Sequence, residues 1–153
     1  MDELMIQNLI DRYIAVSFKV TKKAESLIKE QIGNDLTNDQ HYILRYIYQS
    51  KECTSSELAD VFEVNKSAIT AIINRMVDRE LIKRTRDEND RRVVYLTLTD
   101  EGNTLFKKTE DRVHCLVKSI ITKFNMEEIK NFIQTYEKLA DKLIETKQDQ
   151  VEE

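Results

Sequence analysis

Seven consecutive residues near the middle of the chain, Arg86, Asp87, Glu88, Asn89, Asp90, Arg91 and Arg92, are too polar to pack in a core. They separate an apolar stretch that starts at Leu81 and Ile82 from a second one in which Val94, Leu96 and Leu98 alternate with Val93, Tyr95 and Thr97. Alternation with a period of two marks a half-buried strand, so the segment reads as a two-stranded ribbon with a charged tip. Arg86, Arg91 and Arg92 concentrate cations there, and Asp90 stands two residues from Arg92. A basic ribbon of this kind suits double-stranded DNA, whose phosphates reward local positive charge. The plainer reading of Asp90 and Arg92 is an exposed turn pair contributing under about 1 kcal/mol.

A second set of candidate groups lies directly upstream. Asn65 can cap a helix in which Ile69, Ile72, Ile73, Met76 and Val77 recur at helical spacing, leaving Lys66, Ser67, Thr70, Ala71, Asn74 and Arg75 on the other side. Short polar side chains with an amide and a guanidinium suit the floor of a major groove, where they reach base edges. Taken alone, such a face is more often simply solvated. The basic ribbon that follows it tips the reading toward DNA.

These groups need elements to hold them. Thr54-x-x-Glu57 has the form of a capping box, followed by Leu58, Ala59 and Phe62 on one face. Only Glu63 and Val64 separate this helix from the one capped by Asn65, which is helix-turn-helix spacing. Earlier, Ile6, Leu9, Ile10, Tyr13, Ile14, Leu27 and Ile28 mark a long helix ending near Ile32, before Gly33 and Asn34. Leu36 and Thr37-x-x-Gln40 open another with Ile43, Leu44 and Ile47. After the ribbon, Thr99 can cap a helix running through Leu105, Phe106, Val113, Leu116, Ile120 and Phe124. Asn125-x-x-Glu128 opens the last, with Ile129, Phe132, Ile133, Tyr136, Leu139, Leu143 and Ile144 on one stripe.

The fold class expected is therefore mainly α with a small β-wing, a winged helix-turn-helix flanked by N- and C-terminal dimerisation helices. Residues 1–35 form the first dimerisation helix, 36–100 the DNA-binding domain and 101–153 the C-terminal dimerisation helices. Apolar faces this long exceed what a small wing domain can cover, so a homodimer is expected to bury them. Twofold symmetry then predicts a pseudo-palindromic site with half-sites roughly 34 Å apart. An intramolecular bundle is the alternative.

Composition agrees with a small protein that touches DNA at one place. The 153 residues carry a net charge of −4. Between Asn65 and Arg92, however, eight basic side chains face five acidic ones, a net of +3 that leaves −7 for the rest. Phosphate contact is local, so the acidic remainder does not oppose it. Proline is absent and glycine occurs only at Gly33 and Gly102, as in a mostly helical chain. No apolar run approaches a membrane span, and Asp2 and Glu3 sit where a signal peptide would be basic, so a cytoplasmic protein without membrane contact is expected.

Cys53 and Cys115 show neither zinc spacing nor a redox pair. Cys53 is expected to be a small buried hydrophobe. Cys115 adjoins His114, but neighbours on a helix point in different directions, which argues against an activated thiol. No metal site or cofactor is expected. Phosphate loops, nucleophile elbows, His-Glu-x-x-His and paired catalytic carboxylates are all missing, so the chain does not read as an enzyme. The rival from another class is a winged helix that contacts protein, but its tip would not need Arg86, Arg91 and Arg92.

The sequence resembles the multiple antibiotic resistance regulator (MarR) family of bacterial transcription factors over nearly its whole length. The most specific match is Asp90, Arg92, Leu98, Thr99 and Gly102, supported by Leu36-Thr37 with Gln40 and Leu44, Glu57-Leu58-Ala59, Val64-Asn65-Lys66-Ser67, and Leu81-Ile82 with Arg84. The resemblance implies a dimeric repressor or, less often, activator. It places Arg92 in the minor groove with Asp90 orienting its guanidinium, and Lys66, Ser67, Thr70, Asn74 and Arg75 on the groove-facing part of the recognition helix. Two positions depart from the pattern. Ala71 stands where many relatives have a polar group, and Glu80 replaces a glycine that commonly ends the recognition helix, implying a different turn into the wing.

Family members are often switched by small phenolic or lipophilic ligands, or by cysteine oxidation. Tyr13, Phe18, His41, Tyr42 and Tyr46 can line a pocket for such a small-molecule effector. Residue by residue, they also read as core and dimer contacts.

Overall fold

The computed structural model describes residues 2–152. The chain opens with α1 (Glu3–Ile32), capped by the Asp2 carboxylate and stopped at Gly33. Gly33 takes φ +68°, a conformation that costs a side-chain-bearing residue energy, and its N–H bonds back to Lys29 O. Next comes α2 (Asn38–Ser50), opened by a complete capping box: Thr37 Oγ1 accepts from Gln40 N at 3.1 Å, and Gln40 Oε1 accepts from Thr37 N at 3.2 Å. The helix α3 (Ser55–Phe62) carries only half of the expected box. Thr54 Oγ1 accepts from Glu57 N at 3.2 Å, while Glu57 makes no bond back to the cap.

A left-handed Glu63 turns the chain into α4 (Lys66–Asp78), with Asn65 Oδ1 accepting from Ala68 N at 2.8 Å. The exit from α4 is made by Arg79 and Glu80, where Leu81 N reaches back to Met76 O at 3.0 Å. Glu80 adopts φ +60°, so it supplies the left-handed turn that a glycine would make. The turn into the wing is thus preserved, against the expectation of a different one.

Two antiparallel strands follow, β1 (Ile82–Arg86) and β2 (Val94–Leu98), in register Ile82 opposite Leu98 and Arg86 opposite Val94. Arg86, expected in the polar turn, is therefore the last residue of β1. Burial does not simply alternate along β2: Leu96 is its one fully buried residue. The reason is a third chain segment. Cys53 pairs its backbone with Leu96, through Cys53 N to Leu96 O at 3.2 Å and Leu96 N to Cys53 O at 2.7 Å. Cys53 is buried as expected, and burial pushes its thiol pKa up to about 12.

Thr99 caps α5 (Asp100–Ile121) through Gly102 N, and Asn125 caps α6 (Met126–Glu152) through Glu128 N. Phe124, expected on the fifth helix, lies in the turn between the two. The chain divides into two compact units, one up to Val113 and one from His114 onward. The core of the first is built from Ile43, Leu44 and Ile47 of α2, Leu58 of α3, Ile69, Ile73 and Met76 of α4, Ile82, Leu96, and Phe106 of α5. Each large side chain so buried contributes about 1.5–3 kcal/mol. In the second unit α6 buries none of its residues, and Phe132, Tyr136, Leu143 and Ile144 are each more than half exposed. No helix among the described residues is long and apolar enough to cross a membrane.

Candidate nucleic-acid interface

Packing decides which face of α4 is free. Ile69, Ile73 and Met76 turn into the core, and Lys66, Ser67, Thr70, Asn74 and Arg75 are all exposed opposite them. Their side chains are not equally available. Ser67 Oγ donates to the capping Asn65 Oδ1 at 2.9 Å, and Thr70 Oγ1 donates to Lys66 O at 2.7 Å. Asn74 Oδ1 accepts from the Arg84 guanidinium on β1. Lys66 and Arg75 make no ion pair among the described residues, so their charge is available to a ligand.

The wing tip is held by its own acids. Asp87 Oδ1 accepts from Asn89 N at 2.8 Å and Asp90 N at 3.0 Å, and these backbone bonds, that from Asp90 foremost, hold its carboxyl below the usual range. The Asp87 charge in turn raises the Tyr95 phenol. Asp90 grips Arg92 at both ends of the carboxylate, with Nε to Oδ1 at 3.0 Å and Nη2 to Oδ2 at 3.2 Å. The guanidinium bonds, with help from Arg92 N–H, lower the Asp90 pKa. Arg92 is nevertheless 91 % exposed. The result is a guanidinium fixed in orientation and still facing solvent, with exposed Arg86 and Arg91 close by in sequence.

Tyr13, Phe18, His41, Tyr42 and Tyr46 occupy different environments. Tyr13, Phe18 and Tyr42 are exposed, Tyr46 is half-buried, and His41 is buried. His41 belongs to a polar cluster between α2 and α5. Its Nδ1 lies 3.2 Å from Thr109 Oγ1 and its Nε2 3.2 Å from Glu110 Oε2, and Glu110 also pairs with Arg45. Burial lowers the His41 pKa, Glu110 opposes that shift and Arg45 adds to it. An open concavity of about 510 Å³ has other walls, among them Tyr48, Lys51, Thr97 and Asn103. Among the described residues no group of three or more His, Cys, Asp or Glu is placed to hold a metal ion.

The MarR family model matches residues 36–94, which run from the lead-in of α2 to the start of β2. A Bacillus subtilis HTH-type transcriptional regulator, YpoP, is 32 % identical over 97 residues, covering 60 % of this chain and 69 % of that one. The chain belongs to the MarR family.

The B. subtilis transcriptional repressor MdtR is 29 % identical to this MarR-family chain over 67 % of its length and 66 % of the relative's. The fold is shared with a mutant MarR from E. coli solved in complex with operator DNA, with a TM-score of 0.74 at 23 % identity over 91 % of this chain and 99 % of that one. The protein is a DNA-binding transcriptional regulator and not an enzyme.

Two features of this MarR-family head escaped the reading of the sequence. Arg84 had no assigned partner, because its bond to Asn74 crosses from strand to helix. The sequence marks Thr99 as a helix cap and as part of the wing signature, but not that its hydroxyl also donates to Glu80 O or that its N–H bonds to Leu81 O at 3.1 Å. The Leu-Thr-x-x-Gly part of the signature, Leu98 to Gly102, thereby ties the exit of α4 to the start of α5. The signal available was the spacing of Thr99 and Gly102, which marks a cap but not what the cap is tied to.

Proposed function

We propose that the protein is a cytoplasmic homodimeric repressor that reads a pseudo-palindromic operator, with α4 in the major groove and the wing arginine in the adjacent minor groove. Lys66, Ser67, Thr70, Asn74 and Arg75 face the major groove, Arg86 and Arg91 meet phosphate, and Arg92 enters the minor groove as oriented by Asp90. The observation that carries this reading is the two-ended Asp90–Arg92 pair on an exposed tip. A planar cation held in place fits a narrow minor groove and its enhanced negative potential.

The homodimer rests on uncovered apolar surface. Leu4, Ile14 and Phe18 of α1 and Phe132, Tyr136, Leu143 and Ile144 of α6 are more than half exposed in the single chain. Large apolar side chains left this exposed on each of the two units mark interaction sites, and residues 1–35 and 101–153 are the segments that supply them in this reading. Repression is the role named for the relative MdtR. A small aromatic or lipophilic effector, to which Tyr13, Phe18 and Tyr42 offer exposed rings while His41 is buried and Tyr46 half-buried, relieves repression by favouring one spacing of the two heads, since equal affinity for both states shifts nothing.

Sedimentation equilibrium and hydroxyl-radical footprinting on DNA upstream of the protein's own gene test this reading. A dimer protecting two half-sites about one helical turn apart is the expected result. A monomer, or a single unpaired footprint, contradicts it.

A further inference from the structure

Asn74 on α4 and Arg84 on β1 are joined by a hydrogen bond from Arg84 Nη2 to Asn74 Oδ1. Both side chains are exposed, so the contact is not a requirement of the core. What matters is the part of the amide it leaves free. An asparagine that reads adenine uses both ends, its oxygen accepting from the N6 amine and its nitrogen donating to N7. With Oδ1 held by an arginine, the free end of Asn74 is Nδ2, which only donates. The oxygen keeps a second lone pair, but an adenine amine approaching it would come alongside the guanidinium, donor against donor.

We propose that Arg84 is a specificity-determining positioning residue that turns Asn74 into a donor-only reader of the major groove. Such a group can donate to both O6 and N7 of guanine, whereas adenine offers it N7 alone, beside an N6 amine it repels, and thymine offers O4 alone. Without Arg84, the same asparagine would favour adenine. The proposal rests on the assignment of α4 to the major groove.

The test is selection from a duplex library with randomised half-sites, using the full chain as wild type, Asn74→Ala, Arg84→Met and Arg84→Lys, with thermal unfolding of each variant in parallel. Asn74→Ala identifies the base pair that Asn74 reads. In the wild type that position should be G·C, enriched about tenfold over A·T, the scale of one good base contact. Arg84→Met should move it toward A·T, and Arg84→Lys, which keeps a cationic donor, should retain G·C.

An A·T preference at that position in the wild type overturns the proposal, and that result is decisive even if Arg84→Met fails to fold. So does a folded Arg84→Met that keeps G·C, or an Asn74→Ala that changes no position while a motif is still recovered. Recovery of no motif by the wild type overturns the major-groove assignment of α4 and this proposal with it.

Discussion

Gly102 in the first turn of α5 lies so close to Leu81 that a β-carbon on it would sit 2.0 Å from the Leu81 carbonyl oxygen. That oxygen is already engaged, accepting from Thr99 N at 3.1 Å. The close approach locks the segment between α4 and β1 onto the helix that follows the wing. Any side chain at 102 must push backbone against backbone, and overpacking of that kind costs about 1–3 kcal/mol or more. Gly102→Ala should lower the unfolding midpoint by several degrees at fixed protein concentration. An unchanged midpoint in a thermal scan would show that the junction can open without penalty.

Glu80 offers the opposite case. It holds φ +60° at the exit of α4 with a side chain attached, a conformation costing roughly 1–2 kcal/mol for a residue other than glycine. Glycine removes that strain but gains freedom in the unfolded chain, offsetting about 0.4–1 kcal/mol. Glu80→Gly should therefore stabilise the protein by about 0.5–1 kcal/mol in urea denaturation, without altering the wing. Destabilisation by this change would mean that the Glu80 side chain makes a favourable contact worth more than the strain.

Buried His41 and Thr109, with the partly exposed Glu110 and Arg45 beside them, link stability to pH. Burial lowers the His41 pKa below its unfolded value near 6.5, so the folded state binds this proton less readily than the unfolded chain. The contribution to stability is fully present above the unfolded pKa and is lost as pH falls through the lower, folded one. Melting temperature should thus decline from pH 7 toward pH 5, and His41→Gln should flatten the decline. An equal slope in wild type and variant would assign the acid sensitivity to other groups. Asp87 and Asp90 act in a separate, lower window, where protonation releases the bonds that hold the wing tip.

The Cys53 thiol, buried against β2 with its pKa raised to about 12, should resist alkylation in the native protein. Thiol counting with and without denaturant checks this. Rapid native labelling at Cys53 would show that its pairing with Leu96 opens readily.

What the sequence revealed, and what it hid, divides along local and non-local lines. Thr37, Asn65, Thr99 and Asn125 all cap helices at the positions read from their spacing, because a cap and the turn it starts lie within four residues. Ile32 and Gly33 end α1 for the same reason. The Cys53–Leu96 bridge, the Arg84–Asn74 bond and the His41–Glu110 pair were not legible, since each joins segments that only the folded core brings together. Glu80 misled in another way: its identity argued for a different turn, but the packing of Leu81 on Gly102 and the bond from Leu81 N to Met76 O impose the left-handed one.

In the function proposed above, a fixed, exposed arginine on the wing acts with α4 to recognise a specific duplex. Fluorescence anisotropy of the wild type and Arg92→Ala, on DNA upstream of the protein's own gene and on a scrambled duplex across a salt series, tests it most directly. The wild type should prefer the native duplex with a steep salt dependence, and Arg92→Ala should weaken specific binding by about 1–3 kcal/mol while folding normally. Equal affinity of the two proteins for the native duplex would contradict the role of Arg92, and no binding to either duplex at low salt would contradict the operator-reading account as a whole.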